Sequence, residues 1–192
     1  MPGCLLQKQR REAQRTRRLG LGVMGLADAL CMLGLRYDSP VGRDSFAGTF
    51  EAVRNAAYDA SSRLAVEKGS CAACPPGQLP SSRFLERLPA ALRPDLTSHG
   101  RCNSHILAIT PTWSISLLTG GASTGIEPSF GARRIRNMPM PDGEPESLVA
   151  IDRAVILWQL TTGSGSSLSP ALGDVGSIAA SAQIECSPVS TP

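Results

Sequence analysis

The stretch NSHILAITPTWSISLLTGGASTGIEPSF, residues 103–130, decides the fold of this chain. Its apolar run at residues 106–109 has the length expected of a buried strand. Pro111 ends that strand, because proline has no N–H to donate to a neighbouring strand. A short helix is predicted to open around residues 117–118. The small residues 120–125 then allow a tight turn that approaches a ligand.

Hydroxyl side chains and free backbone N–H groups meet where the predicted strand passes into the predicted helix. Thr112, Ser114 and Ser116 supply the hydroxyl groups. A helix start favours an anion, because its first N–H groups lack intrahelical acceptors and the helix dipole is positive there. The sequence therefore predicts a phosphate site at the carboxyl end of the strand, with no catalytic and no metal-binding residue assigned. The predicted contacts are Pro111, Thr112, Trp113, Ser114 and Ile115.

Two separated blocks of the sequence resemble the catalytic subunit of the ribonucleotide reductases. Residues 105–130, HILAITPTWSISLLTGGASTGIEPSF, are similar to the phosphate-binding segment of that family. Residues 17–40, RRLGLGVMGLADALCMLGLRYDSP, are similar to a helical block that precedes it. The resemblance keeps its order and spacing from about Ala13 to Trp158. It is most similar to the adenosylcobalamin-dependent branch of the family.

The resemblance implies an α/β fold that is part of a ten-stranded α/β barrel, with a helix-rich N-terminal half. Residues 1–160 would form the barrel fragment, and residues 161–192 a Gly/Ser-rich, weakly ordered tail. The implied function is reduction of ribonucleotides to deoxyribonucleotides for DNA synthesis, by a thiyl radical and a reducing pair of cysteines. The implied cofactor is adenosylcobalamin. The implied partners are a ribonucleotide substrate and a thioredoxin-type reductant, with no nucleic acid and no membrane.

The chain departs from the family pattern at two points. Trp113 stands where the family has glycine, and an indole is a poor substitute where the backbone approaches a phosphate. No equivalent of the family's loop with the radical cysteine and its Asn and Glu neighbours is recognisable. We therefore expect the isolated chain to be inactive, and interpret it as a truncated or degraded copy. A non-catalytic nucleotide or phosphate binder and a fragment without its own function stay open as alternatives, as does the choice between diphosphate and triphosphate substrates.

Composition and charge are those of an ordinary soluble domain. The 192 residues are enough for one modest core, and 42% of them are hydrophobic. A net charge of +3 gives no bulk attraction to nucleic acid. No apolar run is long enough to span a bilayer and no signal peptide is evident, so we expect a cytoplasmic protein.

Two further motifs are interpreted as structural. Cys71 and Cys74 form a CxxC, but no second pair and no histidine pair at zinc spacing accompanies it. We therefore expect neither a zinc site nor a required redox pair there. Gly20, Gly22 and Gly25 spell GxGxxG, but the basic residues before them cannot form the buried strand that a dinucleotide fold needs. We expect these glycines to start a helix instead.

Apolar periodicity and capping residues predict the elements of the N-terminal half. A basic segment at residues 6–18 is interpreted as a solvated helix face, and a second helix stops at Gly34. Ser39 and Pro40 form a typical N-cap and first-turn pair for a long helix that ends near Lys68. The expected buried stripe of that helix is Phe46, Phe50, Val53, Ala57, Ala60 and Leu64.

Weaker patterns predict the rest of the chain. Cys31 lies in the apolar pattern of the second helix and is interpreted as a core residue. Glu127 has two interpretations, an inward carboxylate of the site or a charge held by nearby backbone N–H groups. The other predictions are a loop at 70–82, short helices at 82–88 and 89–99, a basic-edged strand at 133–136, a turn at 142–143, a helix at 148–160 and a last helix around 179–183.

Overall fold

The computed structural model describes residues 6–77, 83–138, 143, 146–163, 169, 171–173, 176–179 and 181–182. Their elements are α1 (Gln7–Thr16), α2 (Leu26–Met32), α3 (Pro40–Lys68), α4 (Arg83–Glu86), α5 (Arg93–His99), α6 (Trp113–Leu118), β1 (Arg133–Met138), β2 (Glu146–Ile151) and α7 (Arg153–Thr162). The chain divides into two compact units, Met1–Gly22 with Thr49–Ala108 and Val23–Gly48 with Ile109–Pro192. In the described parts of the chain, no helix combines the length and the apolar character needed to cross a bilayer.

The first unit is helical, and its core joins α3 to the short helices α4 and α5. The core residues are Tyr58, Leu85, Leu88, Leu96 and Ile106, with Ala57, Leu92 and Leu107 packed against them. Burying each large apolar side chain contributes about 1.5–3 kcal/mol, so this cluster stabilises the unit substantially. The predicted helices at 82–88 and 89–99 are therefore confirmed, although each is shorter than predicted.

Helix α1 confirms the prediction of a solvated, basic helix. Most of its side chains are exposed, and Arg15 forms an ion pair with Glu12 at 2.7 Å. Such an exposed pair contributes less than about 1 kcal/mol. Thr16 is buried at the end of the helix, where its hydroxyl donates to the carbonyl oxygen of Glu12.

The predicted buried strand at residues 106–109 is only an isolated parallel bridge, between Leu21 and Leu107. The amide of Ala108 donates to the carbonyl oxygen of Leu21 at 3.0 Å. Gly22 is needed for this contact, because a Cβ there would lie 2.5 Å from the carbonyl oxygen of Ala108. The expectation that all three glycines of the GxGxxG start a helix is therefore wrong. Gly25 does so, as the N-cap of α2 with a φ of 79°.

The long helix α3 begins and ends where the sequence predicts. Its predicted buried stripe is confirmed at Phe46, whereas the buried face of the second half of the helix is rotated from that stripe. The hydroxyl of Ser39 accepts the amide of Gly42 at 3.0 Å, which confirms the N-cap. Ala60 is exposed, whereas Ser61 beside it is buried. The hydroxyl of Ser61 donates to the side-chain oxygen of Asn103 at 3.1 Å, so this polar group is satisfied within the core. An apolar pattern could not identify such a buried serine.

The second unit contains an antiparallel pair of strands followed by α7. Strand β1 confirms the predicted basic strand, and its register with β2 runs from Arg133 opposite Ile151 to Met138 opposite Glu146. The predicted helix at 148–160 is wrong in its first part, because these β-branched and apolar residues form β2. Asp152 then caps α7 by accepting the amide of Ala154 at 3.0 Å.

The described residues form a single two-stranded sheet and not a closed barrel. Of the turn predicted at 142–143, residue 142 lies outside the described residues. The predicted tail at 161–192 and its last helix lie largely outside them as well. Cys31 is buried in the second unit, which confirms its interpretation as a core residue.

Candidate phosphate-binding site

The predicted phosphate-binding segment lies at the N-terminus of α6. Thr112 is the N-cap, with φ −102° and ψ 41°, and its carbonyl oxygen accepts the amide of Ser116 at 2.7 Å. The amides of Trp113, Ser114 and Ile115 belong to the first turn, where a helix offers no intrahelical acceptor. Pro111 and these first-turn residues are all exposed or nearly so. The predicted contact residues are thus brought together as one accessible turn.

A second turn lies directly beside the start of α6. The amide of Gly125 donates to the hydroxyl of Thr112 at 3.3 Å. Gly125 has a φ of +51°, and a Cβ there would lie 3.3 Å from the carbonyl oxygen of Thr110. The side chain of Thr112 therefore faces the following turn, and its hydroxyl is already engaged as an acceptor. The hydroxyls of Thr112 and Ser114 can still donate, and they add to the backbone amides of the first turn as donors of the segment.

Three long-range hydrogen bonds hold the turn of residues 123–129 in place. The amide of Ser123 donates to Asp28 at 3.0 Å, and the hydroxyl of Ser129 donates to Asp152 at 2.6 Å. Between them, the hydroxyl of Tyr37 donates to the carbonyl oxygen of Ile126 at 2.8 Å. The turn beside α6 is therefore fixed at both ends and in its middle, which preorganises the candidate site.

The contacts of Glu127 match neither of its two predicted interpretations completely. Its carboxylate accepts the hydroxyl of Thr124 at 2.6 Å, and its own amide donates to the carbonyl oxygen of Thr124. The side chain is half-buried. The structural interpretation is therefore the better one, with a hydroxyl as the donor in place of the expected backbone N–H groups.

The small-residue run after α6 serves a close approach within the chain. Gly121 has a φ of +85°, and a Cβ there would lie 2.9 Å from the carbonyl oxygen of Ile151. The fully buried hydroxyl of Ser116 donates to the carbonyl oxygen of Ala122. The glycines thus let the end of α6 pack against β2, a role that the sequence analysis had attributed to ligand approach.

An aromatic and cationic series lies on the surface next to the segment. The indole of Trp113 is 59% exposed, and its ring centroid lies 6.5 Å from that of Phe130. The guanidinium of Arg134 lies 5.4 Å from the same phenyl ring. The Nε of Arg134 is buried and has no hydrogen-bond partner among the described residues. The run of arginines in β1 is visible in the sequence, but their spacing alone did not predict Arg134 as a site residue.

A pair of buried carboxyl groups supports the same unit. Asp28 is 7% exposed and Asp152 is 1% exposed. Burial, and next the charge of Asp152, raise the pKa of Asp28 from 3.8 to about 6. The carboxyl group of Asp28 therefore takes up a proton in mildly acidic solution, about two pH units above its ordinary range. The two residues lie far apart in the sequence, and no sequence pattern predicted them as neighbours.

The described residues contain no group of three or more His, Cys, Asp or Glu side chains arranged to hold a metal ion. His99 and His105 are exposed, and a ring nitrogen of His105 lies 2.9 Å from the hydroxyl of Ser104. Cys71 and Cys74 are both buried free thiols. Whether that pair binds zinc or acts in redox chemistry stays a prediction.

Comparison with known proteins identifies the family. Residues 2–150 match the model of the ribonucleotide reductase barrel domain. The vitamin B12-dependent ribonucleoside-diphosphate reductase of Mycobacterium tuberculosis is 37% identical over 118 residues, which cover 62% of this chain and 15% of that protein. The ribonucleoside-diphosphate reductase subunit alpha of Haemophilus influenzae is 29% identical over 177 residues, which cover 81% of this chain and 23% of that protein.

A solved structure, the class Id ribonucleotide reductase alpha subunit of Actinobacillus ureae, is 26% identical with a TM-score of 0.49, and the match covers 64% of this chain and 19% of that one. The chain thus spans less than a quarter of the length of each of these relatives. The family model, which matches most of the chain, places it plainly: the chain belongs to the ribonucleotide reductase barrel-domain family.

Proposed function

We propose that this chain contributes to a reductase that converts ribonucleoside diphosphates to deoxyribonucleoside diphosphates, as a part of its α/β barrel. We propose a ribonucleoside diphosphate as the substrate because both relatives are named ribonucleoside-diphosphate reductases. The chain spans less than a quarter of those relatives, so the whole reaction belongs to the larger reductase and not to this segment alone. The role proposed for the segment is to hold the substrate phosphates.

The observation that carries this proposal is the first turn of α6. Its three amides, from Trp113 to Ile115, belong to exposed residues at a helix start, and Thr112 is fixed by the neighbouring turn. Each charge-assisted hydrogen bond from such an amide to a phosphate contributes about 1.5–3 kcal/mol. Holding the phosphates fixes the ribose, and a radical reaction at one ribose hydrogen depends strongly on that positioning.

Arg134 is the cation that we add to the proposed site. Its buried Nε lacks a partner among the described residues, and a phosphate oxygen would satisfy that N–H. The guanidinium also lies over Phe130, which in turn contacts Trp113 of the first turn. Arg133, the preceding residue of β1, has an exposed side chain and alternates to the other face of the strand, so it serves as a matched control.

Trp113 is proposed to weaken the phosphate site. The indole extends from the first residue of α6, beside the amides that would face the phosphate. Its contact with Phe130 keeps the ring near that turn. A Trp113→Gly variant removes the indole and restores the small residue that the family has there. We therefore expect this variant to bind a ribonucleotide more tightly.

Adenosylcobalamin is proposed as the cofactor of the larger reductase, because the relative with the higher identity is named vitamin B12-dependent. Bound there, it would supply the radical that starts the reduction. The residues described here offer nothing that fits it, since the described histidines are exposed and no cluster of metal-binding side chains is present among these residues. A dithiol reductant of the thioredoxin type is proposed as the redox partner.

Calorimetric titration with a ribonucleoside diphosphate tests the phosphate site. We expect binding to the Trp113→Gly variant, weaker binding to the chain with Trp113, and no binding of the nucleoside that lacks phosphate. In the Trp113→Gly background, Arg134→Gln should weaken binding about tenfold, one charge-assisted hydrogen bond, while Arg133→Gln should not. Equal affinity with and without the indole would refute the blocking effect. Absence of binding in every form would remove the phosphate site.

An activity assay tests the place of the segment in the reaction. Incubated with adenosylcobalamin, a dithiol and each of the four ribonucleotides, the purified chain is expected to form no deoxyribonucleotide. The reason is that the sequence carries no recognisable counterpart of the family's radical cysteine loop. Formation of deoxyribonucleotide above the level of a protein-free control would contradict this expectation. Phosphate-dependent binding without turnover is the combined result that the proposal requires.

A further inference from the structure

The first unit contains a buried CxxC turn just after α3. The amide of Cys74 donates to the carbonyl oxygen of Cys71 at 2.9 Å, which closes a tight turn between the two cysteines. Both residues are buried, and both are free thiols. The amide of Cys71 in turn donates to the carbonyl oxygen of Arg101 at 2.8 Å. The two thiols are thus held in one turn against the segment that contains Arg101.

Arg101 brings a positive charge to this turn. Its Nη2 lies 3.0 Å from the Sγ of Cys74, and its guanidinium lies 5.7 Å from the ring centroid of Tyr58. The residue is only 7% exposed, and no ion pair with a carboxylate is formed by it in the described part of the chain. A buried guanidinium is costly unless an anion faces it. The group that faces the guanidinium of Arg101 at hydrogen-bonding distance is the sulfur of Cys74.

The backbone keeps Arg101 in this position. Its amide donates to the carbonyl oxygen of Cys74. Gly100 before it has a φ of +70°, and a Cβ there would lie 2.6 Å from that same carbonyl oxygen. The segment of Gly100 and Arg101 therefore approaches the cysteine turn as closely as a glycine allows. The contact between the guanidinium of Arg101 and the sulfur of Cys74 is therefore fixed by backbone packing, because Arg101 is a buried residue and not a mobile surface side chain.

The other buried cysteines have different electrostatic surroundings. Burial raises the pKa of the Cys31 thiol, and the negative charges of Asp152 and Asp28 raise it further. Cys102 lies 3.5 Å from Nη1 of Arg17, whose guanidinium also donates to the carbonyl oxygen of Gly69 and whose residue is only partly buried. Cys74 is therefore the cysteine with the shortest contact to a buried cation among those described.

We propose that Cys71 and Cys74 form a site of reversible oxidation by hydroperoxides, with the guanidinium of Arg101 placed beside Cys74, the attacking sulfur. The sulfur of Cys74 attacks one oxygen of the hydroperoxide, the O–O bond breaks, and the alcohol or water leaves with a proton. This gives a sulfenic acid on Cys74. The sulfur of Cys71 then attacks the sulfur of Cys74, and water leaves. In sum, two thiols are oxidised to one disulfide, and one hydroperoxide is reduced to an alcohol and water.

The burial of the pair decides which oxidant can reach it and which cysteine resolves it. Both side chains are almost inaccessible, so the oxidant must be compact, as hydrogen peroxide is. Burial, and next a hydrogen bond with Cys74, raise the pKa of the Cys71 thiol, which keeps it protonated until the sulfenic acid forms beside it. The pair is thus a modification site, separate from the cysteines that would supply electrons to ribonucleotide reduction.

Peptide mass mapping of the intact chain after exposure to hydrogen peroxide tests the proposal. We expect a disulfide between Cys71 and Cys74 that a dithiol reverses, while Cys31 and Cys102 stay available to an alkylating reagent after denaturation. A Cys71→Ser variant should accumulate a sulfenic acid on Cys74, trapped with dimedone. A Cys74→Ser variant should give no such adduct on Cys71.

Two arginine variants separate the role of charge from the role of folding. Arg101→Met should slow oxidation of Cys74 about tenfold, because the cation beside the attacking sulfur is removed, and Arg101→Lys should restore most of the rate. Arg17→Met, which removes a guanidinium from another cysteine of the same unit, should leave the rate unchanged. Thermal melts of each variant, followed by circular dichroism, establish that it is folded under the assay conditions.

Several outcomes would overturn the proposal. One is oxidation of Cys31 as fast as that of Cys74. Another is an unchanged rate in a folded Arg101→Met protein. If that variant does not fold, the dimedone result with Cys71→Ser decides alone, and absence of an adduct on Cys74 refutes the assignment. Stoichiometric zinc in the purified chain, released by Cys71→Ser, would also refute it.

Discussion

Replacement of Asp28 by asparagine should stabilise the second unit at neutral pH. Asp28 lies in the first turn of α2, where one carboxylate oxygen accepts the amide of Ser123. Its other oxygen is buried without a hydrogen-bond donor among the described residues, and the nearby charge is that of Asp152. The asparagine side chain has the same shape, can still accept the amide of Ser123, and offers an N–H₂ group to Asp152.

The magnitude follows from the pKa of Asp28. Burial and the charge of Asp152 raise that pKa from 3.8 to about 6, so the folded unit binds a proton more tightly than the unfolded chain does. The stability from this proton is fully present below about pH 4 and is lost as the pH rises towards about 6. At about 1.4 kcal/mol for each pH unit, the loss amounts to about 3 kcal/mol at neutral pH. Asparagine carries no charge and avoids this loss.

Urea denaturation followed by tryptophan fluorescence measures the effect in the correct unit. The chain has 2 tryptophans, and both Trp113 and Trp158 belong to the second unit. We expect the free energy of unfolding of Asp28→Asn to exceed that of the unchanged chain by about 3 kcal/mol at neutral pH. At about pH 4 the two proteins should be nearly equal, because the protonated carboxyl group and the amide are then both neutral.

Asp38→Asn is the matched control, because the pKa of Asp38 is shifted in the opposite direction. A hydrogen-bonded ion pair with Arg36 at 2.9 Å lowers the pKa of Asp38. This exposed pair should therefore stabilise the unit slightly at neutral pH and lose its effect on acidification, so the control variant should gain no stability. The reasoning about Asp28 is refuted if Asp28→Asn is no more stable than the unchanged chain at neutral pH, or if its advantage does not shrink as the pH falls.

Two further predictions concern packing. Gly22→Ala should destabilise the first unit by about 1–3 kcal/mol in urea titrations followed by circular dichroism, because its Cβ would lie 2.5 Å from the carbonyl oxygen of Ala108. Gly48→Ala is the control: its Cβ would meet no atom within 4 Å in the interior of α3, so this variant should stabilise the protein by about 0.5–1 kcal/mol. Equal effects of the two substitutions would contradict the close approach at Gly22. Leu88→Ala should cost about 2–5 kcal/mol by the same measurement, because this side chain is among the most buried in the first unit. The exposed Leu118 should tolerate alanine within about 0.5 kcal/mol, and a similar loss at both sites would refute the assigned core.

Local signals predicted the elements that local interactions determine. The N-cap hydroxyl of Ser39 and the following proline located the start of α3, and the structure confirms both bounds of that helix. The basic segment at the N-terminus and the arginine-rich strand were also identified correctly. In each case the residues that decide the element are neighbours in sequence, so one window of the chain contains the necessary information.

The failed predictions share one physical cause, which is a competing partner far away in the sequence. Residues 106–109 had the composition of a strand, but a strand needs a ladder, and the described residues provide a single bridge to Leu21. The apolar residues of β2 are compatible with a helix when they are considered alone. Their pairing with β1 makes them a strand, and the N-cap at Asp152 sets the start of the helix that follows. The buried position of Ser61 in the second half of α3 depends likewise on Asn103, which lies 42 residues away in the sequence.

In the candidate site, too, some features are determined by residues that are neighbours in sequence and others by residues that are distant in sequence. The first turn of α6 was visible in the sequence because its hydroxyls, its proline and its small residues follow one another. The residues that fix the neighbouring turn of residues 123–129 were not visible in the sequence. Asp28 accepts the amide of Ser123 from 95 residues away, and Asp152 accepts the hydroxyl of Ser129 from the start of another helix. Each of the two carboxyl groups anchors a segment of the same turn, and burial of Asp28 near the charge of Asp152 carries an electrostatic cost that protonation of Asp28 relieves. Because that cost exists only in the folded unit, no pattern of residues along the chain could have predicted it, and the pH dependence of Asp28→Asn is its direct measure.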